Sequence, residues 1–157
     1  MAIVLTTVLI VAYVALAAAG VMGYALAYGR ADFGSHFHPA LVATLLGIFG
    51  HAMTMFYFIG TGKAIKDVVR DEKLDTSILK ETRRQNMVAS SWATFATLCL
   101  MFQFIIGGGA HTRAVPARVH EVAFFVTLIV SGLATYREIR LLSEQNALAD
   151  RVNAMVS

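Results

Sequence analysis

The chain has 157 residues, 57% of them hydrophobic and 15% charged, with a formal net charge of +3 at pH 7. Soluble domains sit nearer half apolar and a quarter charged, so this composition excludes an ordinary water-soluble domain. The apolar excess falls into four blocks, each long enough to cross about 30 Å of hydrocarbon at about 1.5 Å per residue, and little chain remains for anything else.

The first block is Ile3–Tyr28, with a helix expected over residues 3–28. Ala25-Leu26-Ala27 resembles a signal-peptidase site. No basic segment precedes the block, however, and the apolar run far exceeds a signal peptide's core, so a retained span is expected. The second block, Pro39–Gly62, places Pro39 in a first helical turn, where a missing N–H costs nothing. Ala64, Ile65, Val68 and Val69 then recur at helical spacing among charges, which extends this helix over 39–70. A turn is expected near Asp71–Asp75, and Asp75-Thr76-Ser77 supplies an N-cap for a third helix over 76–106. That helix carries the block Met87–Ile106 and is expected to stop at Gly107-Gly108-Gly109. Pro116 opens a fourth helix over 117–153, which contains the block Val119–Tyr136. Beyond Tyr136 the pattern turns amphipathic, with Leu141, Leu148, Val152 and Met155 opposite Arg140, Glu144 and Arg151. Such a tail is expected on a leaflet surface or against a partner. The fold expected is a single all-α membrane domain, a four-transmembrane-helix bundle with a helical hairpin extension and an amphipathic C-terminal helix.

Ten of the thirteen Lys and Arg residues lie in the second connection or after the fourth block; only Arg30, Arg113 and Arg118 lie in the other two connections. By the positive-inside rule the long basic loop and both termini are cytoplasmic. The basic residues are therefore explained by topology, and no basic stripe interleaved with aromatics suggests nucleic acid. The expected partners are the lipid bilayer and other membrane subunits or further copies of the chain.

Polar groups at membrane depth invite a functional reading. His36, His38, His111 and His120 belong to the outer side, whereas His51 sits twelve residues past Pro39, roughly 18 Å deeper. His38 and His120 fall at similar depth on different helices, and facing imidazoles of this kind can hold a haem iron from both sides. Gly20 and Gly23 reach the same depth, and Arg30, Arg113 and Arg118 lie where haem propionates would meet the surface. The plainer readings are solvated loop histidines at His36, His38 and His111, and a His120–Glu121 cap. A zinc or copper site from His36, His38 and His111 or His120 is a further alternative.

His51 is too deep to share an iron with His120. A haem there needs another ligand, for which Met101 and Cys99 lie within reach, and Gly47 and Gly50 flank it. Its plain reading is an interhelical hydrogen bond to a Ser or Thr such as Thr127 or Ser131. The run His51–Lys63, rich in Met and aromatics, suits the border of a quinone or haem edge, or simply a lipid-facing surface with a snorkelling Lys63. Cys99 is a lone cysteine and reads as a small apolar residue. There is no phosphate loop, no Ser-His-Asp arrangement and no run of intramembrane carboxylates; Glu121 is the sole acid within the four blocks.

On His38, His51 and His120, with Gly20, Gly23, Gly47 and Gly50, the chain resembles the small four-helix b-type cytochromes that anchor membrane oxidoreductases. The resemblance rests on architecture and implies a haem b and an electron-transfer or anchoring role. Two-haem members pair histidines at two depths, whereas His51 has no partner histidine here, so one haem is implied. Two other functions compete with it. One is a non-redox accessory subunit; the other is a zinc- or copper-dependent membrane protein.

Overall fold

The computed structural model describes residues 1–156. It contains four helices, α1 (Ala2–Ala27), α2 (Phe33–Asp71), α3 (Ser77–His111) and α4 (Ala117–Val156), and no strand among the described residues. They run alternately up and down, each packed on its neighbours in sequence, with α1 closing the ring on α4. The ring is a rhombus: α2 and α4 meet across its short diagonal, while α1 and α3 do not touch. Each helix is long and apolar enough to cross a membrane.

The spacing of buried positions explains the bundle. On α4 these include Thr127, Ser131, Ala134, Glu138, Leu141, Gln145, Leu148 and Val152, alternating steps of four and three. Leu5, Leu9, Ala12, Leu16 and Ala19 do the same on α1. This 3.5-residue period is that of helices packed at small crossing angles. Many contact positions are small, including Ala89, Ala93 and Ala96 on α3 and Ala134 on α4, all fully buried. Small residues let backbones approach where lipid removes the usual hydrophobic drive.

The polarity is inverted relative to a soluble bundle. His51, Thr54, Gln85, Gln103, Ser131, Glu138 and Gln145 are buried, whereas Ile3, Val14, Val21, Phe49, Phe56, Phe102, Ile105, Val122 and Ile129 are exposed. A helix apolar on its outward face belongs in lipid. At the charged end α2 and α4 outrun the 26-residue α1, being 39 and 40 residues long. The excess of about 13 residues is roughly 20 Å of helix. There α2, α3 and α4 form a three-helix extension around Ile65, Val69, Ile78, Leu148 and Val152. Arg151 tethers it by donating to Glu81 at 3.0 Å.

Three expectations are corrected. First, α2 begins at Phe33, six residues before Pro39, because Asp32 caps it by accepting the Ser35 N–H at 3.0 Å and the Ser35 hydroxyl at 2.6 Å. Pro39 lies inside the helix but close to its start, so its missing N–H frees only the Ser35 carbonyl. Second, α3 runs through Gly107-Gly108-Gly109 to His111. Three glycines lower helix propensity but leave every backbone N–H able to bond, and the helix ends only where Arg113 takes a left-handed φ of 61°. Third, the apolar stripe of the amphipathic tail is covered by the chain itself. The tail is the continuation of α4, and Leu141, Leu148 and Val152 are buried within the chain, while Met155 is exposed.

Candidate functional site: two polar centres in the bundle core

Both α2 and α4 run away from the histidine-rich end, so residues at equal distances from their starts share a level. His36 is the fourth residue of α2 and His120 the fourth of α4. The two rings face each other across the short diagonal, with centroids 6.3 Å apart and planes at 72°. Each is held by the helix beside it. His36 Nδ1 bonds the Ala19 carbonyl of α1 at 3.1 Å, and His120 Nδ1 lies 3.1 Å from the Gln103 amide nitrogen of α3. Both Nε2 atoms are left without a protein partner in these bonds. Glycine is needed behind each ring: a Cβ at Gly23 would come within 3.0 Å of His36, and one at Gly107 within 2.9 Å of His120. Below them Phe124 lies directly on Gly20, above a layer of Leu16, Ala43 and Leu100.

The structure thus brings His36 rather than His38 to His120. His38 is exposed, its Nδ1 bonded to the Gly34 carbonyl one turn back at 2.9 Å and its ring edge-on to Phe37. His111 is exposed and stacks on Phe33 with centroids 3.7 Å apart. Among the described residues no three His, Cys, Asp or Glu side chains gather as a metal site, so the zinc or copper set is not assembled. Glu121 does not cap; it accepts the Tyr24 hydroxyl of α1 at 2.6 Å. Arg30, Arg113 and Arg118 are exposed around this end, and none enters an ion pair among the described residues.

A haem bound at this end would be held by these two imidazoles, while the space expected for it at Gly20 and Gly23 is occupied by Phe124 and His36. A macrocycle supplies four ligands itself and needs only two from the protein. Two imidazoles sharing one bound metal would have ring centres separated by twice a bond of about 2 Å plus twice the roughly 1.1 Å from nitrogen to ring centre, or about 6.2 Å. A ligand histidine usually donates its Nδ1–H to the scaffold: His36 can do so to the Ala19 carbonyl, whereas His120 Nδ1 accepts from the Gln103 amide N–H and would donate only with that amide turned to present its buried, unpartnered Oε1. Two shallow, open clefts lie elsewhere on the outer faces of α3 and α4, one lined by Cys99, Phe102, Ile106, Arg118, Val122 and Thr127, and neither is lined by a histidine.

The second centre is His51. Its Nδ1 lies 2.8 Å from a carboxylate oxygen of Glu138, and the two side chains are 3% and 0% exposed. Thr54, fully buried, donates to the Gly50 carbonyl one turn above. Neither Thr127 nor Ser131 is the partner: Thr127 donates to the Cys99 carbonyl at 3.3 Å, and the Ser131 hydroxyl is buried without one. Gly50 meets Val8 and Leu9 of α1, and Gly47 meets Leu100 of α3, so helix packing, not a flat ligand, occupies the space these glycines open. Glu138 escaped the sequence reading because it lies two residues beyond the last apolar block. The signal was its register, which puts it on the same four-three stripe as Ser131, Ala134, Leu141 and Gln145.

Comparison with protein-family models, with curated proteins and with solved structures finds no match for this chain. Function is therefore argued from these two centres alone.

Proposed function

We propose that the chain is a membrane-embedded b-type haem protein, working as an electron-transfer or anchoring subunit of a larger membrane oxidoreductase, in which His36 and His120 would hold the haem. The observation that carries this reading is the pair itself: two imidazoles from the diagonal helices, 6.3 Å between centres, each fixed through Nδ1. A bound haem would contribute one-electron redox chemistry. The chain's own residues orient the rings, keep the surroundings apolar and supply Arg30, Arg113 and Arg118 for the propionates. The charged end, holding ten of the thirteen Lys and Arg residues, is the cytoplasmic one, and the histidine end faces outward.

The test is the reduced-minus-oxidised absorbance spectrum of the purified protein. Sharp low-spin bands are expected in the wild type and in His38→Ala. Their loss is expected in His36→Ala and in His120→Ala. Retention in both, or a colourless wild type, refutes the reading, and a colourless wild type leaves a non-redox accessory subunit in its place.

A further inference from the structure

Buried polar atoms without protein partners are uncommon, and each requires water or another explanation. Among the described residues two of them, Ser131 Oγ and Gln103 Oε1, lie towards the histidine end, and the other five lie from Glu138 towards the charged end. Glu138 Oε2, both polar atoms of the Gln145 amide, Gln85 Oε1 and Asn86 Oδ1 are all buried and unpartnered. Register places the last three residues together. Arg151 reaches Glu81 between α4 and α3, so Gln145 on α4 lies level with Gln85 on α3. Asn86 is pressed against Gly62 of α2, and Tyr57 of α2 donates to Asn146 of α4. A polar storey thus joins α2, α3 and α4 where the charged extension begins. Glu138 lies seven residues nearer the bundle centre on α4, about 10 Å away.

We propose that His51 and Glu138 form a proton-exchange site in the bundle core, supplied from the charged end by water held along Gln145, Gln85 and Asn86. In a dry core the pair favours zero net charge, with one proton shared between imidazole and carboxylate. The step is a proton transfer alone. A water of the column takes the shared proton and leaves neutral His51 beside ionised Glu138, and the reverse step restores it. No electron moves and no other bond breaks.

The other groups around the site are apolar or neutral. Leu5 and Leu9 come from α1, Thr54 and Phe58 from α2, Ala89, Ala93 and Ala96 from α3, and Thr135, Leu141 and Leu142 from α4. The titratable groups towards the charged end are Arg137, Arg140 and Glu144 on α4, all exposed, then Tyr57 of α2 and the pair Glu81–Arg151. Towards the other end lie the apolar cluster of Leu16, Ala43 and Leu100 and, among the polar groups, Tyr13 against Gly132 and the buried Ser131 hydroxyl.

Solid-state NMR of the full chain in lipid vesicles tests this, with bulk protons as the probe. The Glu138 carboxyl carbon and the His51 ring nitrogens should titrate together with bulk pH. Their proton should exchange with solvent, and exchange should slow about tenfold in Gln145→Leu, the rate equivalent of one lost hydrogen bond. Shifts independent of pH overturn the proposal, as does exchange unchanged in Gln145→Leu. Both readouts are independent of haem, so their failure and the failure of the cytochrome reading are distinguishable.

Discussion

Replacing His51 or Glu138 singly, and then both together, exposes how the core holds them. The pair is joined at 2.8 Å and is almost completely removed from solvent. Breaking such a pair costs about 3–5 kcal/mol in a protein interior, because the survivor is left as a buried unpaired group. Neutral interhelical hydrogen bonds in membranes average only about 0.6 kcal/mol. The two survivors differ. His51→Leu leaves a carboxyl with both oxygens unpartnered, since Oε2 already has none, and should cost about 3 kcal/mol. Glu138→Leu leaves a neutral imidazole, which is cheaper to bury, and should cost about 1–2 kcal/mol. The double Leu variant removes both partners of the pair and should unfold within about 1 kcal/mol of wild type, a coupling of at least about 3 kcal/mol. Unfolding by SDS in mixed micelles, followed by Trp92 fluorescence, measures all three. Costs that add to within about 0.5 kcal/mol would refute the reasoning, because independent sites behave that way.

Three further outcomes are expected. In a Cys99→Ser background, membrane-impermeant thiol reagents added outside should label cysteines placed at Ser35 or Thr112 and spare those at Thr76 or Ser143; the opposite pattern reverses the topology. Gly20→Ala drives a methyl group into the Phe124 ring, so thermal unfolding should report a loss of about 1–3 kcal/mol from overpacking. The Asp32 carboxyl is held below the usual carboxylate range by its bonds to the Ser35 hydroxyl and N–H. Its contribution to the first turn of α2 should therefore be complete above the ordinary carboxylate pKa and vanish as pH falls through the lowered one. Amide exchange at residues 33–36 should rise on that acid limb, and in Asp32→Ala it should be raised at all pH values.

The four spans, their alternation and the charged hairpin were legible because hydropathy and charge vary over whole helices. Helix ends were less so. A proline and three glycines read as boundaries, yet Asp32 caps α2 before the proline and α3 continues through the glycines to His111. The outer site was legible as a set of histidines but not as a pair. Choosing between His36 and His38 turns on helical phase, and an α2 assumed to start at Pro39 leaves both residues in a loop. Once the helix begins at Phe33, His36 lies on the bundle side while His38 is exposed. Glu138 was missed for a related reason. A block defined by hydropathy ends where charges begin, whereas the buried stripe of α4 continues unbroken to Val152.

The ratio of haem to polypeptide in the purified, haem-supplemented protein tests the central claim most directly. The account predicts one haem per chain, reduced to none by His36→Ala or His120→Ala and unchanged by His51→Ala. A folded wild-type protein carrying no haem, or one whose haem depends on His51 and survives loss of both outer histidines, would contradict it.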